Sequence, residues 1–154
     1  MRLGILGYSK LSPSLIEPLL ERIILTITHS PREIIHSGLF RPVGETVIRY
    51  FKDNPFVKLK CVSPIYQGNN YRTSVLANNI ALVNSCDAFV IIWNGYSRLD
   101  QDLISQGIRH RRLMWEIVLN YDETLYTEKE ILSMATIREI SNPRVLPISE
   151  SKKK

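Results

Sequence analysis

The sequence predicts a single α/β domain in three layers, a mainly parallel sheet of about five strands flanked by helices. Three observations carry this reading. Short apolar runs alternate with longer segments of helical periodicity, the pattern of strands joined by covering helices. The clearest run, Ala88 to Trp93, is apolar at every position, as expected of a strand covered on both faces. The 154 residues are 44% hydrophobic and 23% charged, a balance that supports one core and argues against disorder.

Each element follows from local chemistry. Leu3 to Leu6 reads as a buried strand ending at Gly7. A helix from about Ser14 to Thr28 follows, with Ser14 and Glu17 as a capping box and Pro18 in or just after the first turn. Leu15, Leu19, Ile23 and Ile27 recur every four residues and form its buried stripe. Glu33 to His36 is the second strand, and a helix from near Gly44 to Lys52 follows the loop containing Pro42. Val57 to Val62 is the third strand, closed by Ser63 and Pro64. A helix from Thr73 or Ser74 to Ser85 presents Leu76, Ile80 and Val83 as its apolar face.

The Ala88 strand ends in an Asn94–Gly95 turn, and Asp100 to Ile108 is helical. Leu113 to Leu119 is a fifth strand. Thr127 and Glu130 cap a last helix running from Glu128 to Ile140. The segment beyond Asn142, with Pro143 and Pro147, reads as extended or as a short edge strand. Residues 1–148 are expected to form the domain and 149–154 a basic tail.

Composition narrows the functional classes. The longest apolar run is far too short to cross a bilayer, and no secretory pattern opens the chain, so no membrane partner and a cytoplasmic setting are expected. Cys61 and Cys86 lack metal-ligand spacing, as do His29, His36 and His110, and no metal or cofactor is expected. No serine or cysteine has a sequence-defined base beside it. The net charge of +5 includes Lys152, Lys153 and Lys154, which leaves +2 elsewhere. The internal cluster Arg109, His110, Arg111 and Arg112 is either a solvated helix end, the commoner case, or a nucleic-acid footprint.

In an open parallel sheet, ligands bind beyond the carboxyl ends of the strands, where strand order reverses. That rule selects the loops Gly7 to Ser12, Ser37 to Glu45, Ser63 to Arg72 and Asn94 to Asp102, all rich in Gly, Ser, Asn or charge. Glycine admits close backbone approach, and helix-start amides suit phosphate or carboxylate. Polar, glycine-containing loops also occur in such folds without any ligand.

A set of short segments appears in a telling order. Gly7-Tyr8-Ser9 is followed by Ile35-His36-Ser37-Gly38 with Gly44-Glu45. Asn78-Asn79 then precedes Cys86-Asp87-Ala88, and Trp93-Asn94-Gly95-Tyr96-Ser97-Arg98 comes last. Together, over Leu3 to Leu119, they resemble the SLOG superfamily. These are Rossmann-like domains related to the DNA-processing protein DprA and to LOG-type phosphoribohydrolases, and the resemblance is to small stand-alone members.

The chain departs from that pattern at several points. Leu99-Asp100 stands where those members carry Gly-Thr, Glu45 where they carry aspartate, and Asn78-Asn79 where they carry Arg-Asn. The loop from Ser37 to Gly44 is longer, and the Gly-Gly-x-Gly-Thr loop of LOG-type enzymes is missing.

The resemblance implies a site for a nucleotide or nucleotide-derived molecule. Its contacts are Gly7, Tyr8, Ser9, Lys10, Ser37, Gly38, Gly44, Glu45, Asn78, Asn94, Gly95, Ser97, Arg98 and Asp100. Ser37 and Ser97 would donate to phosphate oxygens, with Arg98 as a charged partner or else in a surface ion pair to Asp100 or Asp102. Glu45 would grip ribose hydroxyls or simply favour its helix dipole. Tyr8 and Trp93 flank the cleft, where Trp93 is either a stacking ring or core.

A sensor or sequestering module is the leading expectation. An N-glycosidic bond hydrolase or transferase, LOG-like or nucleoside deoxyribosyltransferase-like, is the alternative, with Glu45 or Asp100 as its carboxylate. Single-stranded nucleic-acid binding, as in DprA-like relatives, ranks third. The resemblance also implies self-association, through the exposed face of the Thr73 to Ser85 helix.

Overall fold

The computed structural model describes residues 1–7, 12–27, 31–38, 42–65, 70–119 and 125–140. Along the chain run β1 (Arg2–Leu6), α1 (Pro13–Thr26), β2 (Glu33–His36), α2 (Pro42–Phe51), β3 (Lys58–Cys61) and α3 (Tyr71–Ser85). There follow β4 (Ala88–Trp93), α4 (Arg98–Arg109), β5 (Leu113–Val118), α5 (Glu128–Met134) and β6 (Ile137–Ile140). The six strands form one sheet in the order β3-β2-β1-β4-β5-β6. Neighbours are parallel from β3 to β5, and β6 is antiparallel to β5. This is the doubly wound Rossmann-like α/β fold.

Every residue of β4 is buried, and its alternation builds both halves of the core. Ala88, Val90 and Ile92 join Leu3 and Ile5 against Leu15, Leu19, Val43, Val47 and Ile131 of α1, α2 and α5. Phe89, Ile91 and Trp93 face the other way, with Leu6 and Ile35, against Val75, Leu82, Val83 and Leu103 of α3 and α4. The period of two along the strand thus feeds two helix layers. The α1 stripe of Leu15, Leu19, Ile23 and Ile27 is buried as its spacing predicts.

Four expectations need correction. First, α1 starts one residue earlier, with Ser12 as N-cap and Pro13 preset for the first helical position. The Ser14–Glu17 capping box does not form: Ser14 Oγ instead donates to Glu128 Oε1 at 2.5 Å. Pro18 therefore lies inside the helix, beyond its first turn. Second, α3 starts at Tyr71 because Asn70 Oδ1 accepts from the Thr73 amide at 2.8 Å.

Third, α3 does not bury the predicted face. Ile80 is exposed and Leu76 half-buried, while Ser74, Val75, Asn78, Asn79, Leu82 and Val83 face inward. Fourth, the last helix stops at Met134, and Ile137–Ile140 makes a sixth strand. Pairing with β5 wins there because Arg138 lies opposite the buried Glu116, and its guanidinium meets that carboxylate. The Thr127–Glu130 capping box at the start of α5 forms in full. Thr28, the segment beyond Asn142 and the lysine tail lie outside the described residues.

Candidate functional site

The chain steps outward from β1 to β3, then returns to place β4 against the other side of β1. Strand order therefore reverses between β1 and β4, and the crevice lies beyond their carboxyl ends. Gly7 follows β1 with φ +149°, and a Cβ there would overlap the carbonyl oxygen of Ile92. Only glycine lets the exit of β1 lie flat on β4 at this point.

Beside it, β2 ends at His36. The Gly38 amide donates to His36 Nδ1 at 3.1 Å, which requires an unprotonated Nδ1. Burial lowers the His36 pKa and favours that neutral ring. Ser37 is 1% exposed, and its Oγ has no hydrogen-bond partner among the described residues. A Cβ on Gly44 would overlap the carbonyl oxygen of Gly38, so the start of α2 rests directly on the β2 loop. Glu45 sits in the first turn of α2 and pairs with Arg49 at 2.7 Å.

After β4, Asn94 Oδ1 accepts the amides of Tyr96 at 3.0 Å and Ser97 at 2.9 Å, shaping the turn through Gly95. Ser97 is the N-cap of α4, but its hydroxyl caps nothing. Arg98 is exposed, and among the described residues it makes no ion pair. The expected surface bridge from Arg98 is therefore not formed there. Asp102 instead accepts from Asn79 Nδ2 at 3.0 Å. Asp100, in the first turn of α4, is completely buried.

The inward face of α3 completes the rim. Asn79 Nδ2 also donates to the Leu99 carbonyl at 2.9 Å, while its buried Oδ1 has no partner among the described residues. Asn78 Nδ2 holds the Val62 carbonyl at 3.1 Å, just past β3. Ser74 is buried, and its Oγ also has no hydrogen-bond partner among the described residues. Ser37, Ser74 and Asn79 are thus three buried polar groups with unmet capacity, all near the carboxyl rim. Such groups are uncommon and each calls for an explanation.

No family model matches this chain, and no curated protein does. The site therefore rests on its own geometry.

Of the anticipated residues, the structure gathers Gly7, Ser37, Gly38, Gly44, Glu45, Asn94, Gly95, Ser97, Arg98 and Asp100 around the exits of β1, β2 and β4. Asn78 lies farther out, beside the exit of β3. Tyr8, Ser9 and Lys10 fall outside the described residues. Several of the anticipated side chains are committed internally: Asn94 shapes its turn, Glu45 pairs with Arg49 and Asn78 holds the Val62 carbonyl. Ser74 and Asn79 had not been singled out as ligand contacts. The signal for them was the interruption of the apolar α3 spacing by polar residues.

Trp93 is core rather than a free stacking surface: it is buried, and its Nε1 donates to Glu116 Oε2 at 3.0 Å. Asp87 binds the backbone amide and guanidinium of Arg2, tying the starts of β4 and β1 together. The basic cluster lies at the opposite, amino-terminal rim. There Arg112 donates to the carbonyls of Val83 and His110, and His110 Nδ1 meets the Gln106 carbonyl. Burial pushes the Cys86 thiol up to about 12, which makes it a poor nucleophile near neutral pH. Among the described residues no cluster suits a metal ion, and no helix is long and apolar enough to cross a membrane.

Proposed function

We propose that this chain is a binding module for a nucleotide or nucleotide-derived small molecule, seated on the carboxyl rim between β1 and β4. The observation that carries the reading is the set of buried polar atoms of Ser37, Ser74 and Asn79 near the carboxyl ends of the strands, without hydrogen-bond partners among the described residues. A buried polar group without a partner carries a desolvation cost, which a polyhydroxylated ligand relieves by supplying one. Arg98 and Ser97 at the start of α4 supply a cation and a hydroxyl for phosphate. The ordered segments from Gly7 to Arg98 that resemble the SLOG superfamily support the same ligand class. Sensing or sequestering needs this complementarity alone.

A second reading, N-glycosidic bond cleavage or transfer, is favoured by one observation: Asp100 is a fully buried carboxylate on the rim. A carboxylate beside an anomeric carbon stabilises positive charge developing on the sugar. Glu45, the other anticipated carboxylate, is half-buried and pairs with Arg49 on its own helix. Nucleic-acid binding is the weakest reading, because Arg112 and His110 hold helix-end carbonyls on the far rim.

Thermal shift and calorimetry with nucleoside monophosphates, cyclic nucleotides and ADP-ribose test the proposal. A ligand specific for the native state raises Tm with concentration. Arg98→Ala is expected to weaken binding by roughly tenfold or more, and Ser37→Ala by less. No stabilisation by any member of the panel, or unchanged affinity in both variants, overturns it. Release of free base by the wild type, abolished in Asp100→Asn, decides for the enzyme reading.

A further inference from the structure

Among the described residues β3 is the outermost strand, and none of them pairs beyond it on that side of the sheet. Where it ends, a pocket of about 430 Å³ opens between the segment after β3 and the face of α3 from Ser74 to Ala81. Val62 and Ile65 form one wall, and Ala77 and Ala81 of α3 the other. The alanines are spaced four apart, so they lie on one helix face with no bulk between them. Ser74 and Asn78 line the same pocket. Ser63, which also lines the pocket, packs against Gly38 of the β2 loop, its Cβ 3.2 Å from where a Cβ of Gly38 would stand.

The chemistry of this lining is selective. Its size falls within the range of small-molecule sites, and its walls are apolar with few convergent polar groups. An aliphatic chain would satisfy the walls but leave Ser74 Oγ without a partner. A sugar or phosphate would meet Ser74 but lie against four apolar side chains. A flat ring with polar atoms on its edge satisfies both.

We infer that this slot receives the heteroaromatic base of the ligand, with Ser74 Oγ bonding to the ring edge. The inference rests on the nucleotide-binding reading and assigns one part of the ligand to one place. Asn78 acts as a positioning residue: its bond to the Val62 carbonyl fixes the distance between the two walls.

Calorimetry with adenosine 5′-monophosphate, uridine 5′-monophosphate and ribose 5-phosphate tests it. At least one nucleotide is expected to bind roughly tenfold more tightly than ribose 5-phosphate. Ala77→Leu and Ala81→Leu fill the slot from exposed helix positions that tolerate leucine, so folding is retained. Each is expected to erase the advantage of the base while leaving ribose 5-phosphate affinity unchanged. Ser74→Ala is expected to weaken nucleotide binding by roughly tenfold while the Tm of the free protein holds or rises, because a desolvated hydroxyl is removed.

Three results overturn the inference. If the leucine variants bind nucleotides as the wild type does, the base lies elsewhere and the binding-module reading stands. If they lose nucleotide and ribose 5-phosphate equally, the slot does not hold the base. If neither nucleotides nor ribose 5-phosphate bind the wild type, the inference falls together with the function it rests on.

Discussion

Gly44 and His36 show how single positions set the rim. Alanine is ordinarily the better helix residue, by about 1 kcal/mol over glycine. At Gly44 that preference is overridden, because the added methyl would overlap a backbone oxygen, which cannot rotate away. Gly44→Ala is expected to destabilise the protein by about 1–3 kcal/mol, read from the urea midpoint. His36 carries a pH dependence of known sign. Its folded pKa is lowered by burial from the ordinary 6.5, so the unfolded chain binds the proton more readily. Stability is expected to hold above about pH 6.5 and to fall as pH drops through the folded pKa. Chemical denaturation between about pH 7 and 5 measures this, and His36→Gln is expected to flatten the slope. An unchanged slope would mean that other groups carry it.

Among the elements, α4 and α3 are the informative pair. α4 ends with the Arg112 amide bonded to the Gly107 carbonyl and the Arg111 amide to the Ile108 carbonyl. This closing motif places Arg111 at φ +57°, a conformation that glycine adopts without cost. Arg111→Gly is expected to stabilise the protein by about 0.5–1 kcal/mol and to raise Tm by about 1–4 °C, measured by calorimetry. Because it sits on the amino-terminal rim, ligand affinity is expected to stay the same. α3 runs from the carboxyl rim downward, polar on its inward face at Ser74, Asn78 and Asn79 and apolar at Leu82 and Val83.

Over the full sheet, β6 is what shields β5 from solvent. Glu116 is buried with two partners, Trp93 behind it and Arg138 from β6. Removing one partner of a buried carboxylate costs more than the bond itself is worth. Arg138→Ala is therefore expected to lower stability by about 1–3 kcal/mol and to alter tryptophan fluorescence, since Trp93 shares the same carboxylate. Replacing Glu116 with Gln in that background is expected to recover part of the loss. A silent Arg138→Ala would place the stability of β6 in Ile137 and Ile140 instead.

The strands from β1 to β5 and the helices between them were legible in the linear chain. A strand covered on both faces is apolar at every position, and Ala88 to Trp93 is apolar without interruption. The α1 stripe and the Thr127 capping box are equally local, because all their partners lie within a few turns. The rest depended on distant neighbours. Residues Ile137–Ile140 could extend a helix or form a strand, and Glu116, twenty-two positions earlier opposite Arg138, settles the matter. The inward face of α3 was missed for the same reason. A periodicity argument counts apolar residues, whereas Ser74, Asn78 and Asn79 are buried by what stands across from them. A hydroxyl without a partner exists only once folding has removed the water around it, so no reading of residue order alone reveals it.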